Sequence, residues 1–141
     1  MNHVAELDDE EPRLKGPAPL RKQFADLLAL SEGWFEPGTP ALNKSGLASV
    51  QGFITTAVAL GVPVPYLYPT PDGEARAEWS LGRWEVSATF DLIENVGRLH
   101  ATHLDSDTTE EGDLAVGGAD AVATFSHFVG QFLSDPPPIP E

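Results

Sequence analysis

The sequence predicts an α+β fold, a two-layer sandwich in which three helices cover one face of a four-stranded antiparallel meander (ααββββα). Apolar residues recur every three or four positions in three segments, which is typical of amphipathic helices. In the stretch that follows position 74 they alternate with polar residues instead, which is typical of half-buried strands. Glycines and prolines separate these segments.

The two ends of the 141-residue chain differ in composition from its middle. Residues 1–17 carry five acidic side chains and few apolar ones, so burial cannot offset the entropy of ordering them. Prolines dominate 135–141 and favour polyproline II. We therefore expect a mobile acidic tail at 1–17, a single α+β domain at 18–134 and a proline-rich tail at 135–141.

The helices are predicted at 18–30, 45–60 and 118–133. Pro19 suits the first turn of the first helix, where its missing N–H costs nothing. Asn43 or Ser45 could cap the second, and Asp120 lies near the start of the third. The apolar stripes consist of Leu20, Phe24, Leu27 and Leu28 in the first, Leu47, Val50, Ile54, Ala57 and Val58 in the second, and Val122, Phe125, Val129, Phe132 and Leu133 in the third.

The strands are predicted around a proline-framed Asp-Gly turn that begins at Tyr66 and leads into an alternating strand at 75–81. Gly82-Arg83 has the pattern of a type II′ hairpin turn into the next strand at 84–90, and a fourth strand follows at 98–104. The predicted inner face consists of Trp79, Leu81, Val86, Ala88 and Phe90. The predicted polar face consists of Arg76, Glu78, Ser80, Glu85, Ser87, Thr89, Arg98, His100 and Thr102.

Residues 105–113 are predicted to form an acidic loop that carries Asp105, Asp107, Glu110, Glu111 and Asp113. The spacing of its carboxylates partly matches an EF-hand. Position 6 of that pattern is nevertheless Glu110 rather than glycine, and position 12 is Val116 rather than glutamate. We therefore expect neither a metal nor a cofactor.

Charge is the strongest global signal, because 22 Asp and Glu against 8 Lys and Arg give a net charge of −14. Such a surface repels nucleic acid and anionic membranes, whereas it attracts and steers a basic protein partner. The same surplus can also serve solubility alone. The chain lacks cysteine, a membrane-spanning apolar run and a basic leader, so we expect a soluble, cytoplasmic protein.

Several strings of the central region are distinctive: Tyr-Leu-Tyr-Pro-Thr-Pro-Asp-Gly from Tyr66, Ala-Glu-Trp-Ser from Ala77 and Trp-Glu-Val-Ser from Trp84. Together they resemble a small bacterial family of acidic proteins, and the resemblance covers roughly residues 25–135. It departs at the last helix, where the family pattern is rich in tryptophan and this chain has Phe125 and Phe128. The resemblance implies no particular activity, so no catalytic residue carries over from it.

The sequence contains few side chains or motifs that are typical of catalytic sites. His100 and His103 are three positions apart on one predicted strand, so they face opposite sides and cannot bind one metal together. Glu78 and His100 share the polar face and are the best acid–base pair in the chain. There is no glycine-rich nucleotide loop, nucleophile elbow or Walker-type lysine, so we expect no enzyme.

Trp34 and Phe35 stand together in a loop that is rich in glycine and proline. We expect these rings to fill the end of the core between two helices, because their burial is strongly favourable. If both rings were exposed, they would be the best candidates for a hydrophobic partner anchor.

The leading hypothesis is a non-enzymatic acidic protein that inhibits a basic, nucleic-acid-binding partner, such as a nuclease, a toxin or a CRISPR effector. This would be an inhibitor of the anti-CRISPR, antitoxin or immunity type, or a nucleic-acid mimic, encoded on a mobile genetic element or in a toxin–antitoxin pair. Its contact patch is predicted at Asp105, Asp107, Glu110, Glu111 and Asp113. An accessory subunit that docks through Trp34, Phe35 and the proline-rich tail is the alternative, and an enzyme that uses Glu78 and His100 is the third hypothesis.

Overall fold

A computed structural model describes residues 16–133, so nearly all of the predicted tails at 1–17 and 135–141 lies outside the described residues. The elements in chain order are α1 (Ala18–Leu28), α2 (Lys44–Ala59), β1 (Tyr66–Pro69), β2 (Glu74–Leu81), β3 (Trp84–Asp91), β4 (Val96–His103), β5 (Thr109–Ala115) and α3 (Ala121–Leu133). The α+β class is confirmed, with three helices and an antiparallel sheet of five strands rather than four. None of the described helices is long and apolar enough to cross a bilayer.

The fifth strand is the main correction to the predicted fold. The prediction of an acidic loop at 105–113 is wrong for the second half of that segment. The chain re-enters the sheet at Thr109 and pairs with β4 as far as Ala115. Glu, Asp and Gly are poor strand formers, so local propensity does not indicate this strand. Pairing satisfies the backbone groups of β4 and buries Leu114, and these tertiary gains outweigh the propensity.

The strands follow one another across the sheet in the order β1-β2-β3-β4-β5, and every neighbouring pair is antiparallel. The predicted hairpin turn is confirmed. Gly82 has a φ of 61° and Arg83 a negative one, which is the type II′ pattern, and Leu81 pairs with Trp84 across it. A tight turn of this kind sets the β2–β3 register, and with it the face on which each side chain lies.

The core lies between the three helices and one face of the sheet. Phe53 of α2 contacts Phe90 of β3 and Phe125 of α3, with ring centroids 5.9 and 5.0 Å apart. Trp79 is buried as predicted, lies 5.5 Å from Phe125 and donates its indole N–H to the Pro63 carbonyl at 2.7 Å. The buried strand residues on this inner face are Leu67, Ala75, Ala77, Trp79, Val86, Ala88, Phe90, Leu99, Ala101 and Leu114.

The loop between α1 and α2 corrects a second prediction. Trp34 and Phe35 do not fill the end of the core: Trp34 is half-buried and Phe35 is 58% exposed. The loop instead closes on itself, because the Gly33 N–H donates to the Thr39 carbonyl at 2.6 Å and the Trp34 indole donates to the Pro40 carbonyl at 3.1 Å. Leu42, later in the same connection, is the residue that is buried in the core.

The first turn of α2 approaches the β3–β4 turn very closely. Asn43 caps the helix as predicted, with its side-chain oxygen accepting from the Gly46 N–H at 2.8 Å. A Cβ atom placed on Gly46 would lie 2.0 Å from the carbonyl oxygen of Leu92. Glycine at this position therefore lets the helix pack directly against backbone.

We expect Gly46→Ala to destabilise the protein by about 1–3 kcal/mol, because the added methyl group collides with backbone that cannot rotate away. Gly52→Ala in the same helix is the matched control, since nothing lies within 4 Å of a Cβ at that position. Replacing that glycine should stabilise the helix by up to about 1 kcal/mol. Urea unfolding of both variants measures the difference, and equal stability would contradict the close approach.

Candidate functional site: the open face of the sheet

One face of the sheet is left uncovered by the helices, and we call it the open face. The registers place all nine predicted polar-face residues on it and add residues from β1 and β5. Its charged side chains are Glu74, Arg76, Glu78, Glu85, Asp91, Arg98, Glu111 and Asp113. The open face thus carries six carboxylates and two guanidinium groups, which gives it a net charge of −4 with His100 neutral.

Both guanidinium groups of the open face are already paired with carboxylates of β2. Arg76 Nε donates to Glu78 Oε2 at 3.1 Å, and Arg98 Nη2 donates to Glu74 Oε2 at 2.9 Å. The Tyr68 hydroxyl donates to the same Glu78 oxygen at 2.6 Å. Burial, followed by this hydrogen bond, raises the pKa of Tyr68 above its usual value. The β1–β2 side of the open face is therefore neutralised and hydrogen-bonded within itself.

A depression of about 340 Å³ lies in the middle of the open face. Its wall consists of the charged side chains of Arg76, Arg98, Glu111 and Asp113 together with His100, and Ser87 and Thr89 lie between them. Ser87 is only 8% exposed and Thr89 9%, and within residues 16–133 neither hydroxyl has a hydrogen-bond partner. The hydroxyl groups of these two nearly buried residues are thus available to a polar group that enters the depression.

The structure separates the five acidic residues that were predicted to form one patch. Glu111 and Asp113 lie on the open face, where the Glu111 carboxylate is 3.9 Å from His100 Nε2. Glu110 is opposite Ala101, so its side chain extends towards the helical side of the sheet. In the predicted loop all five would lie in one irregular segment, whereas the alternation of a strand divides neighbouring side chains between two faces.

The other two acidic residues lie in the turn between β4 and β5. Asp105 is held there by Arg83, whose Nε donates to Asp105 Oδ2 at 2.9 Å. This contact lowers the pKa of Asp105 below its usual value and raises that of Arg83. Asp107 adopts a φ of 60° in the same turn. Only Glu111 and Asp113 of the predicted patch therefore belong to the open face.

Glu78 and His100 share the open face as predicted, but they lie on β2 and β4 with Ser87 of β3 between them. Two strand spacings separate their backbones by about 10 Å. Glu78 is hydrogen-bonded to Tyr68 and Arg76, whereas His100 is near Glu111. No three His, Asp or Glu side chains of the described chain come together as metal ligands.

The outer edge of β5 carries unpaired backbone groups. The His103 N–H donates to the Thr108 carbonyl and the Val116 N–H to the Asn95 carbonyl, both at 2.8 Å. In an antiparallel pair, every second residue bonds to the neighbouring strand. The β4–β5 register therefore directs the backbone N–H and C=O groups of residues 110, 112 and 114 towards β4. Those of Thr109, Glu111, Asp113 and Ala115 point away from the sheet, and the Ala115 carbonyl there accepts from the Gly118 N–H at 2.9 Å. The side chains of these four residues lie on the open face.

The sequence carries one signal for this edge, and it is weak. Gly112 and Leu114 alternate with Glu111 and Asp113 in the half of the acidic segment nearer the last helix. That alternation is short, and only the apolar character of Leu114 distinguishes it from a solvated loop.

Comparison of the chain with known proteins found no matching family model, no similar curated protein and no similar solved structure. The resemblance of the central region to a bacterial family of acidic proteins therefore stays a prediction.

Amide hydrogen exchange checks the open edge directly. We expect fast exchange at Thr109, Glu111, Asp113 and Ala115, because their N–H groups face solvent, and slow exchange at Glu110, Gly112 and Leu114, which are bonded to β4. Residue-resolved NMR exchange measures both sets on one strand. Uniformly fast exchange from 109 to 115 would contradict the strand and favour the loop that the sequence predicts at 105–113.

Proposed function

We propose that this chain is a non-enzymatic acidic binding protein that covers a basic, nucleic-acid-binding surface of another protein and thereby inhibits it. The partner would be a nuclease, a toxin or a CRISPR effector, as for an antitoxin, an immunity protein or an anti-CRISPR protein. The observation that carries this proposal is the uncovered sheet face with a net charge of −4, whose two arginines are already paired.

Two of the carboxylates that no arginine of this face pairs, Glu111 and Asp113, lie together on its β4–β5 side. Among the described residues, Asp113 has no ion pair within 4.0 Å, and the neighbour of Glu111 is His100 at 3.9 Å. A lysine or arginine that approaches there gains two carboxylates and the hydroxyls of Ser87 and Thr89. Charge-assisted hydrogen bonds of this kind are about twice as strong as neutral ones.

Inhibition would follow from competition for one basic surface. Nucleic-acid-binding proteins recognise phosphates with clusters of Lys and Arg, and the release of counterions drives that binding. A carboxylate-rich sheet offers the same charge on a protein scaffold, and its field accelerates the encounter. Such a protein would act in the cytoplasm, where its target meets nucleic acid.

The double variant Glu111→Gln/Asp113→Asn tests this proposal, with Glu110→Gln as the matched control from the opposite face of β5. We expect the double variant to weaken binding of the partner at least tenfold, which corresponds to about 1.4 kcal/mol, and to flatten its salt dependence. The control should bind within about twofold of the unchanged protein, because exposed charges outside an interface contribute little.

The partner for this measurement is obtained by affinity capture from the cells that produce the protein, and its binding is then measured with purified components by calorimetry at several salt concentrations. A partner that is basic and loses nucleic acid when the protein is added supports the proposal. A partner that binds the double variant with unchanged affinity and salt dependence contradicts it.

A second candidate function is that of an accessory subunit, and the exposed loop at 31–38 favours it. Phe35 is 58% exposed and packs against the half-buried Trp34, with ring centroids 5.7 Å apart. Hydrogen bonds across the loop hold this aromatic pair in place, which lowers the entropy lost when a partner covers it. The predicted proline-rich tail at 135–141 lies outside the described residues.

Phe35→Ala distinguishes this function from the first. If the loop is the anchor, the substitution should weaken partner binding by about 2 kcal/mol or more, and the affinity should persist at high salt. Because the ring is exposed, thermal unfolding should be nearly unchanged. Unchanged binding of the same purified partner would exclude the loop as its anchor.

A further inference from the structure

We propose that the partner contributes an extended basic segment that adds to the sheet as a sixth strand, antiparallel to β5. This inference deepens the proposed function and rests on it. It specifies the class of ligand, which is a stretch of backbone with Lys or Arg at alternate positions, and it places that stretch along the edge from Thr109 to Ala115.

The backbone geometry selects β5 as the receiving edge. Thr109, Glu111 and Asp113 direct unpaired N–H and C=O groups away from the sheet, and Ala115 adds an outward N–H, because its carbonyl already accepts from the Gly118 N–H. Such a row of unpaired groups is a template for another strand, and strand addition is a common mode of peptide recognition.

The opposite edge of the sheet is already occupied. The side chain of Gln23 in α1 accepts from the Leu67 N–H at 2.6 Å and donates to the Pro65 carbonyl at 2.8 Å, as a neighbouring strand would. Pro69, in the same strand, has no N–H to offer. Of the two edges of the described sheet, only β5 is therefore free to receive a strand.

On β5, the residues with outward backbone groups include those that place charged side chains on the open face. Residues whose backbone faces outward on β5 also have their side chains on the open face. In an antiparallel addition, the partner residue opposite Glu111 exchanges two hydrogen bonds with it and places its own side chain on the same face, with Cα atoms about 5.5 Å apart. The residue two positions along faces Asp113 in the same way, so alternate basic residues form two cross-strand ion pairs.

Neither a second copy of β5 nor the ends of the chain are suited to pair with this edge. Two copies of β5 paired with each other would bring Glu111 and Asp113 of one copy against those of the next, and like charges directly opposite are destabilising. The chain's own ends are equally unsuited, since residues 1–17 carry five acidic side chains and 135–141 contain four prolines. The acidic edge thus favours a basic strand over either.

The test uses the full chain and three blocked synthetic peptides. The first alternates lysine and threonine, the second carries N-methyl groups on the lysines, and the third carries them on the threonines. In the antiparallel arrangement the lysine N–H groups donate to β5 and the threonine N–H groups face away. The three peptides have the same charge, and the two methylated peptides carry the same kind of added group, so those two differ in which backbone donors remain.

NMR titration should show binding of the first and third peptides with affinities within about threefold of each other, and binding of the second weakened about tenfold or more. On binding, the amides of Thr109, Glu111, Asp113 and Ala115 should become protected from exchange. Glu111→Gln/Asp113→Asn should weaken the first peptide, whereas Glu110→Gln should not.

Equal binding of both methylated peptides, a loss confined to the threonine-methylated one, or no binding of the first peptide would each overturn the antiparallel addition. These outcomes leave the proposed function standing if the captured partner still depends on Glu111 and Asp113. If the partner is indifferent to both carboxylates, the proposed function fails instead, so the two failures are distinguishable.

Discussion

The contact of Phe53 with both Phe90 and Phe125 joins α2, the centre of the sheet and α3 in one aromatic cluster, and the one-sided packing of the fold depends on it. Rings of this size contribute a few kcal/mol each when they are buried. Because all three helices lie on the inner face, no second layer of the described structure covers the open face. The close approach at Gly46 belongs to the same layer, since it brings the start of α2 down to the β3–β4 turn.

The charge that this packing leaves exposed is unevenly distributed. Arg76 and Arg98 are engaged by Glu78 and Glu74, which balances the β1–β2 side of the open face. Exposed pairs of this kind add little to stability, so their main effect is on the shape of the field. The four carboxylates that remain are Glu85 and Asp91 of β3 and Glu111 and Asp113 of β5, and the last two lie beside Ser87 and Thr89.

The two edges of the sheet differ for a physical reason that links fold to function. Gln23 satisfies the backbone of β1 from a helix, so that edge has little capacity to pair. The β5 edge keeps the outward backbone groups of Thr109, Glu111 and Asp113 free, and its carboxylates oppose pairing with a second acidic strand. A charge that prevents self-association in this way also selects a partner of opposite charge. The proposed strand addition uses both properties of the same residues.

The amino-acid sequence by itself determined the helical stripes apart from the exposed Leu133, the Gly82-Arg83 hairpin and the burial of Trp79, because each depends on a local period or a turn with one favoured conformation. It also placed Arg76, Glu78 and His100 on one polar face, since strand alternation needs no knowledge of distant contacts. Only the tertiary structure decided that residues 109–115 form a strand, because the pairing partner β4 supplies what Glu, Gly and Asp lack in propensity. That pairing divides the acidic segment: it directs Glu111 and Asp113 to the open face, turns Glu110 away and leaves Asp105 bound to Arg83.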